Sequence, residues 1–285
     1  MKQFIVVIAV ILFSFMVVFA QSSPPLVPQL IEKKIFNFGG TRDEVYSSLL
    51  INADNNIMLS GNRGLVVDQY VAVYAHIRKI SPTGQILWEY TSPQDSTYST
   101  VSQALALAPD GIFWLFYRLM FGNELIPYVY KFNQSGEIMW QKQLSNPAQH
   151  NVSNAIVTDS QHLICVIGSA PVTVFVLDMD GNQVVPAWQL PVERVFGLAI
   201  HDLKLYFSGI NPGGININYH GEVFKTDLSG NIIWHDTLTA FAPHLTFDYL
   251  GNLYVSGSML NTQLGWQTVR YDPATGEHIW ERYWN

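Results

Sequence analysis

The chain has 285 residues, 48% of them hydrophobic and 13% aromatic, which is enough to bury a sizeable core. With 22 acidic against 15 basic residues the net charge is −7, spread along the chain, and there is no basic stripe of the kind nucleic acid requires. The one cysteine, Cys165, excludes a disulfide framework; it lies in the apolar run Leu163-Ile164-Cys165-Val166-Ile167, where a buried thiol is expected rather than a nucleophile.

In chain order the first element is a targeting signal. Met1-Lys2-Gln3 gives a short positive start, Phe4 to Phe19 is almost wholly apolar, and Ala20 offers a small residue for cleavage. The run is short for a membrane span, so residues 1–20 are read as a signal peptide, and the mature chain is expected to be secreted or periplasmic with no span of its own. Residues 21–38 follow as an N-terminal segment. Within it Gln29-Leu30-Ile31-Glu32-Lys33-Lys34-Ile35-Phe36 reads as a strand that could pair beside the outer strand of the last repeat and latch the chain ends. The alternative is that the five units are a fragment of a larger ring, leaving both ends open and driving self-association.

From residue 39 to 285 the chain repeats itself. One hairpin recurs as Lys79-Ile80-Ser81-Pro82-Thr83-Gly84, Lys131-Phe132-Asn133-Gln134-Ser135-Gly136, Leu177-Asp178-Met179-Asp180-Gly181, Lys225-Thr226-Asp227-Leu228-Ser229-Gly230 and Arg270-Tyr271-Asp272-Pro273-Ala274-Thr275-Gly276. A Trp follows each glycine, at 88, 140, 234 and 280, and late in the third copy at 188. A second hairpin, marked by Asp54, Asp110, Asp159, Asp202 and Asp248, alternates with the first. Asp and Asn favour tight turns and Gly takes positive φ without steric cost. Two hairpins per unit of about 45–50 residues make four strands, the period of a propeller blade. The fold expected is all-β, a β-propeller of about five four-stranded blades, with Trp88, Trp140, Trp234 and Trp280 largely buried between them.

The segments Asp248-Tyr249-Leu250-Gly251-Asn252-Leu253-Tyr254-Val255-Ser256-Gly257-Ser258, Thr268-Val269-Arg270-Tyr271-Asp272 and Trp280-Glu281-Arg282-Tyr283 resemble the propeller repeats of secreted bacterial proteins (SBBP type). Asp272-Pro273-Ala274-Thr275-Gly276 running to Ile279-Trp280 also resembles the tryptophan-docking repeat of pyrroloquinoline-quinone dehydrogenases and related outer-membrane assembly propellers. The resemblance implies a fold more than an activity, because the matching residues build blades. Those dehydrogenases have larger rings, and many carry an adjacent cysteine pair that a single cysteine cannot supply. No cofactor is therefore expected.

Catalytic signatures are missing. There is no nucleophile elbow, phosphate loop, paired-cysteine metal motif or HExxH. His76, His150, His162, His201, His220, His235, His244 and His278 show no ligand spacing, and Asp178 to Asn182 reads as a hairpin turn rather than a calcium loop. Asp43, Glu44 and Asp95 could serve a glycosidase, which needs two carboxylates about a bond, but solvated turn acids explain them as well. The connectors between second and third strands read as long in four units, residues 62–70, 118–126, 211–221 and 259–265, and as short at Ala170-Pro171. They carry Arg63, Tyr70, Phe121, Tyr219 and His220, with Trp266 adjacent, a set of aromatics and polar groups suited to binding. The expectation is a non-catalytic, monomeric, secreted propeller that binds a protein, glycan or envelope component. A secreted propeller enzyme, hydrolase or quinone-dependent oxidoreductase, is the alternative.

Overall fold

The structure is a computed structural model; it describes residues 44–67, 70–93, 98–120, 125–144, 153–168, 172–212, 219–259 and 265–284. The expected signal peptide, residues 1–20, and the expected latching strand, residues 29–36, lie outside the described residues. Twenty strands form five antiparallel sheets, each strand paired with its neighbour in sequence. The first sheet holds β1 (Glu44–Ile51), β2 (Ile57–Val67), β3 (Tyr70–Ile80) and β4 (Ile86–Thr91). The second holds β5 (Tyr98–Ala108), β6 (Gly111–Met120), β7 (Leu125–Phe132) and β8 (Ile138–Gln143). The third holds β9 (Ser153–Thr158), β10 (His162–Gly168), β11 (Val172–Asp178) and β12 (Trp188–Leu190). The fourth holds β13 (Arg194–His201), β14 (Lys204–Pro212), β15 (Tyr219–Thr226) and β16 (Ile232–Leu238). The fifth holds β17 (Ala240–Phe247), β18 (Leu253–Met259), β19 (Gly265–Tyr271) and β20 (His278–Trp284). No helix occurs among the described residues.

Local chemistry sets the turns. In the hairpins before the outer strands of the second, third and fourth sheets, a side-chain oxygen accepts backbone N–H groups two and four residues on. Asp227 Oδ1 accepts from Ser229 and Asn231 at 2.9 Å each, and Asn133 Oδ1 from Ser135 at 2.9 Å and Glu137 at 3.0 Å. Asp178 does the same with Asp180 and Asn182, so the carboxylate that faintly suggested a calcium loop is spent on its own turn. At the other hairpin Asp248 holds Leu250 and Asn252, whereas in the first sheet Asn52 rather than Asp54 plays this part.

The core is divided among the junctions between successive sheets. Met58, Ala75 and Ile77 pack with Leu105, Ile112 and Trp114; Phe113, Leu115 and Tyr117 pack with Leu163, Cys165 and Ile167. Ile164, Val166 and Val174 meet Leu205 and Phe207, and Tyr206 and Val223 meet Leu253, Val255, Val269 and Tyr271. Alternation along each strand sends neighbouring residues, such as Ile164 and Cys165, into different junctions. The innermost strands β1, β5, β9, β13 and β17 are neighbours in that order.

A joint at the outer edge repeats at every junction. Trp88 Nε1 donates to the Gln134 carbonyl of the second sheet at 3.1 Å, Trp140 to Met179 at 2.9 Å, Trp188 to Leu228 at 3.1 Å and Trp234 to Pro273 at 3.1 Å. A lysine from the middle of the donating hairpin reaches the same carbonyl in three of these: Lys79 at 3.0 Å, Lys131 at 3.0 Å and Lys225 at 2.6 Å. The expectation of largely buried tryptophans needs correction. All five are half-buried: each lies on an outer strand, and Trp88, Trp140, Trp188 and Trp234 set one ring face against the next sheet's turn. The third sheet is irregular, with Trp188 seven residues beyond Gly181 and only three residues in β12, yet its indole still reaches the fourth sheet.

The glycine under each indole is required twice over. Gly136, Gly230 and Gly276 have φ of +88°, +88° and +80°, and a Cβ on them would stand 2.7, 2.5 and 2.7 Å from the indole carbons. At Gly181 (φ +83°) the same atom would stand 3.3 Å away, so the ring need give only by a few tenths of an ångström. Gly276→Ala is therefore expected to cost about 2–3 kcal/mol, roughly 1 from backbone conformation and the rest from displacing the ring. Gly181→Ala should cost less, about 1–2 kcal/mol, for conformation and a slight shift of the ring. Urea midpoints of the two variants check the difference, and equal losses would show that ring contact adds nothing.

Candidate functional site

The connectors between second and third strands are shorter than the sequence suggests, because their flanks pair. β2 and β3 continue to Val67 and Tyr70, and β14 and β15 to Pro212 and Tyr219, leaving residues 68–69 and 213–218 between them. Apolar and β-branched residues such as Leu65, Val66 and Val67 favour extension over a polar loop. The expected binding residues therefore sit on strand ends. Arg63 is half-buried in β2 opposite Tyr74; Tyr70 opens β3. Tyr219 opens β15 and the exposed His220 follows it opposite Asn211. Trp266 lies in β19 between Ser258 and Trp284, and Phe121 is outside the described residues. Arg63 and Tyr70 thus belong to the first sheet, Tyr219 and His220 to the fourth and Trp266 to the fifth.

The fifth sheet, however, builds a group that the sequence reading missed. Trp266 and Trp284 are register partners on one face, 57% and 58% exposed, and Arg282 lies on that face opposite Thr268. Tyr283 projects from the opposite face and is fixed by a network: its hydroxyl donates to Glu281 Oε1 at 2.7 Å, which also accepts from Gln267 Nε2. The same Glu281 bond raises the phenol's pKa. Buried Gln267 is held in turn by the Ala240 N–H, 2.8 Å from its Oε1. Trp284 could have been assigned from the period of two, since Trp280, Arg282 and Trp284 alternate with Ile279, Glu281 and Tyr283.

Titratable groups are dispersed over the sheets. His162 meets Asp159 at 3.2 Å, His235 meets Glu222 at 2.5 Å and His278 meets Asp236 at 2.8 Å, each within a separate pair. The last pair bridges sheets, since Asp236 also accepts the Tyr271 hydroxyl at 2.6 Å. Among the described residues no group of three or more His, Cys, Asp or Glu is placed to hold a metal ion. Cys165 is fully buried, and burial pushes its thiol pKa far up, which suits packing rather than reactivity. Of the acids considered for hydrolysis, Asp43 and Asp95 are outside the described residues and Glu44 opens β1.

The sequence matches no family model, and no curated protein matches it. Solved structures do. The Dos1 propeller aligns at a TM-score of 0.54 with 14% identity, covering 85% of this chain and 72% of that one. The β-propeller domain of the Trilobed protease from Pyrococcus furiosus, described as having an open velcro topology, aligns at 0.54 with 10% identity over 83% of this chain and 70% of its own. A GH43_1 enzyme from Xanthomonas citri gives 0.48 with 8% identity, over 83% and 90%. At such identities the likeness is one of fold. Five four-stranded antiparallel sheets, joined in sequence and similar to solved propellers, make this chain a β-propeller.

Proposed function

We propose that the chain is an exported, non-catalytic propeller that binds a protein, glycan or envelope component through the fifth sheet. The observation that supports this reading is the exposed set Trp266, Trp284 and Arg282 on one sheet face. Large aromatics with an adjacent guanidinium supply contact area at low entropic cost and dominate binding energy where they occur. The resemblance of the last repeat to secreted propeller repeats and the apolar start of the chain, residues 4–19, support export. Binding of the purified chain to a glycan array and to an immobilised envelope fraction tests it. Trp266→Ala is expected to weaken capture by about tenfold or more, with the melting temperature unchanged because the ring is mostly in water. Capture indifferent to that substitution would overturn the assignment to the fifth sheet. Polysaccharide hydrolysis abolished by Asp43→Ala or Glu44→Ala would overturn the non-catalytic reading.

A further inference from the structure

Both turns of each sheet lie at one end of it. Ile57, just past the first turn, pairs with Ile80, just before the second, as Ile112 pairs with Phe132, His162 with Asp178, Leu205 with Thr226 and Leu253 with Tyr271. The indole joints set the outer turns of successive sheets side by side, so the ten turns share one end of the propeller. Nine of these ten contain an Asp or Glu, residues 81–85 being the exception, and none contains a Lys or Arg. Of the lysines near this end, Lys79, Lys131, Lys142 and Lys225 donate to turn carbonyls of the neighbouring sheet, and Lys204 opens β14. Lys131 also pairs with Asp110 at 2.6 Å, whereas Asp202 is 89% exposed. The end is acidic.

Apolar side chains stand among these acids. In four sheets the outer strand holds one extra residue just past its turn, a β-bulge: Leu87 between the pairs Ile80–Ile86 and Lys79–Trp88, and Met139, Ile233 and Ile279 in the same place. A bulge re-aims its side chain, and sheet edges are commonly blunted by charge. These four are apolar instead, and 49, 59, 45 and 50% exposed. The inner turns of the fourth and fifth sheets add Leu203, Tyr249 and Leu250, at 52, 79 and 64%. Those two turns are neighbours, since His201 stacks on Phe247 with centroids 4.6 Å apart and lies against Gly251. Asp202 and Leu203 form a two-residue turn between β13 and β14 with φ of +48° and +56°. Such a turn favours glycine in the second place, and a leucine there is strained. Leu203 is half in water as well, so neither backbone nor packing prefers it to glycine. A contact outside the chain accounts for both features.

We propose that this turn end is a second binding face, and that its partner is a protein segment at once apolar and cationic. The partner's apolar side chains cover Leu203, Tyr249 and Leu250, and its Lys or Arg groups meet the turn carboxylates. Charge decides among the occupants. A second copy presenting the same end would bring acid against acid, and so would an anionic lipid surface. A partner that is cationic but polar would leave the apolar set in water. A basic amphipathic helix combines the two properties. The face is separate from the pair Trp266 and Trp284, which stands at the far end of β19 and β20 from Tyr271 and His278.

Fluorescence anisotropy of a labelled amphipathic helical peptide of leucine and lysine, titrated with the purified chain, tests this. Two control peptides replace every leucine by serine or every lysine by glutamate. The parent peptide is expected to bind about tenfold or more tighter than either control, and less tightly as salt is added. Leu203→Gly should weaken it about fivefold while the melting temperature stays level or rises, because glycine relieves the turn. A leucine with a merely structural role would not separate the two readouts. Leu250→Ser, at a turn tip in water, should weaken binding likewise with an unchanged far-UV spectrum. Binding no tighter than that of the serine or the glutamate peptide would overturn the proposal, as would affinity indifferent to both substitutions. Capture of the chain by phosphatidylglycerol vesicles in place of the peptide, or self-association lost in Leu203→Gly, would assign the face to lipid or to a second copy and overturn it too. Trp266→Ala should leave peptide affinity unchanged, so this reading and that of the fifth sheet fail separately.

Discussion

Replacing Trp234 by alanine is expected to destabilise the protein by about 3 kcal/mol, and the same change at the equally half-buried Trp280 by about 1 kcal/mol less. The two rings are equivalent in register and differ in what lies on them. Trp234 stacks on Tyr271 with centroids 5.7 Å apart and planes at 12°, covers Gly276 and donates to Pro273. Half-burying an aromatic removes roughly 100 Å² from water, worth about 2.5 kcal/mol, and the hydrogen bond and stack add about 1 before partial relaxation. Lys225 continues to satisfy the Pro273 carbonyl in the variant, which holds the loss below that of a fully orphaned acceptor. Urea titration measures both values. Equal losses at the two positions would show that the stability of each indole is local to its own sheet.

Acidification should expose a second weakness, in the first sheet. His76 is buried, with Nδ1 2.8 Å from Thr91 Oγ1, and no hydrogen bond at Nε2. Burial, reinforced by the Arg78 and Arg63 guanidinium groups and opposed by Glu89, lowers its pKa from 6.5 to about 4. The unfolded chain takes up this proton near 6.5 and the folded protein only near 4. Between those values the unfolded state binds more proton, so stability present above 6.5 is lost as the pH falls. Over the whole window the loss is about 3 kcal/mol. The turn carboxylates act lower: Asn231 and two backbone N–H groups hold Asp227 below the usual carboxylate range, so its stabilisation fades only in stronger acid. His76→Gln should flatten the stability profile between pH 4 and 6.5 relative to the parent. Parallel profiles for the two proteins would exclude His76 as the source.

The blade plan was legible because turns and periods are local properties. Gly84, Gly136, Gly230 and Gly276 with their following tryptophans mark hairpins by backbone chemistry that no distant contact revises. Strand length was less legible, since whether residues such as Leu65 and Val66 extend a hairpin or form a loop depends on what pairs across from them. Half-burial of the tryptophans was hidden for a similar reason, as a large aromatic in a repeat looks the same whether it fills a core or lies on a neighbour's turn. The lysines of the joint were visible without being read. Lys79, Lys131 and Lys225 each precede their glycine by five residues, and a repeated charge beside a repeated indole signals a shared acceptor. The exposed pair Trp266 and Trp284 belongs to different hairpin strands, and only register brings the two together.

The indole joint also bears on how such a chain could change its length over evolutionary time. Among the described residues each sheet packs on its predecessor and successor, through an interface whose two halves, ring and turn, are both carried by every unit. A duplicated unit inserted between residues 144 and 153 would bring a turn for Trp140 and an indole for Gly181, so both neighbours would be served without any compensating substitution. Deletion of a whole unit is accommodated in the same way, whereas a cut within a unit strands one ring or one turn. Gain and loss of blades in whole units is therefore the path of least resistance for this sequence.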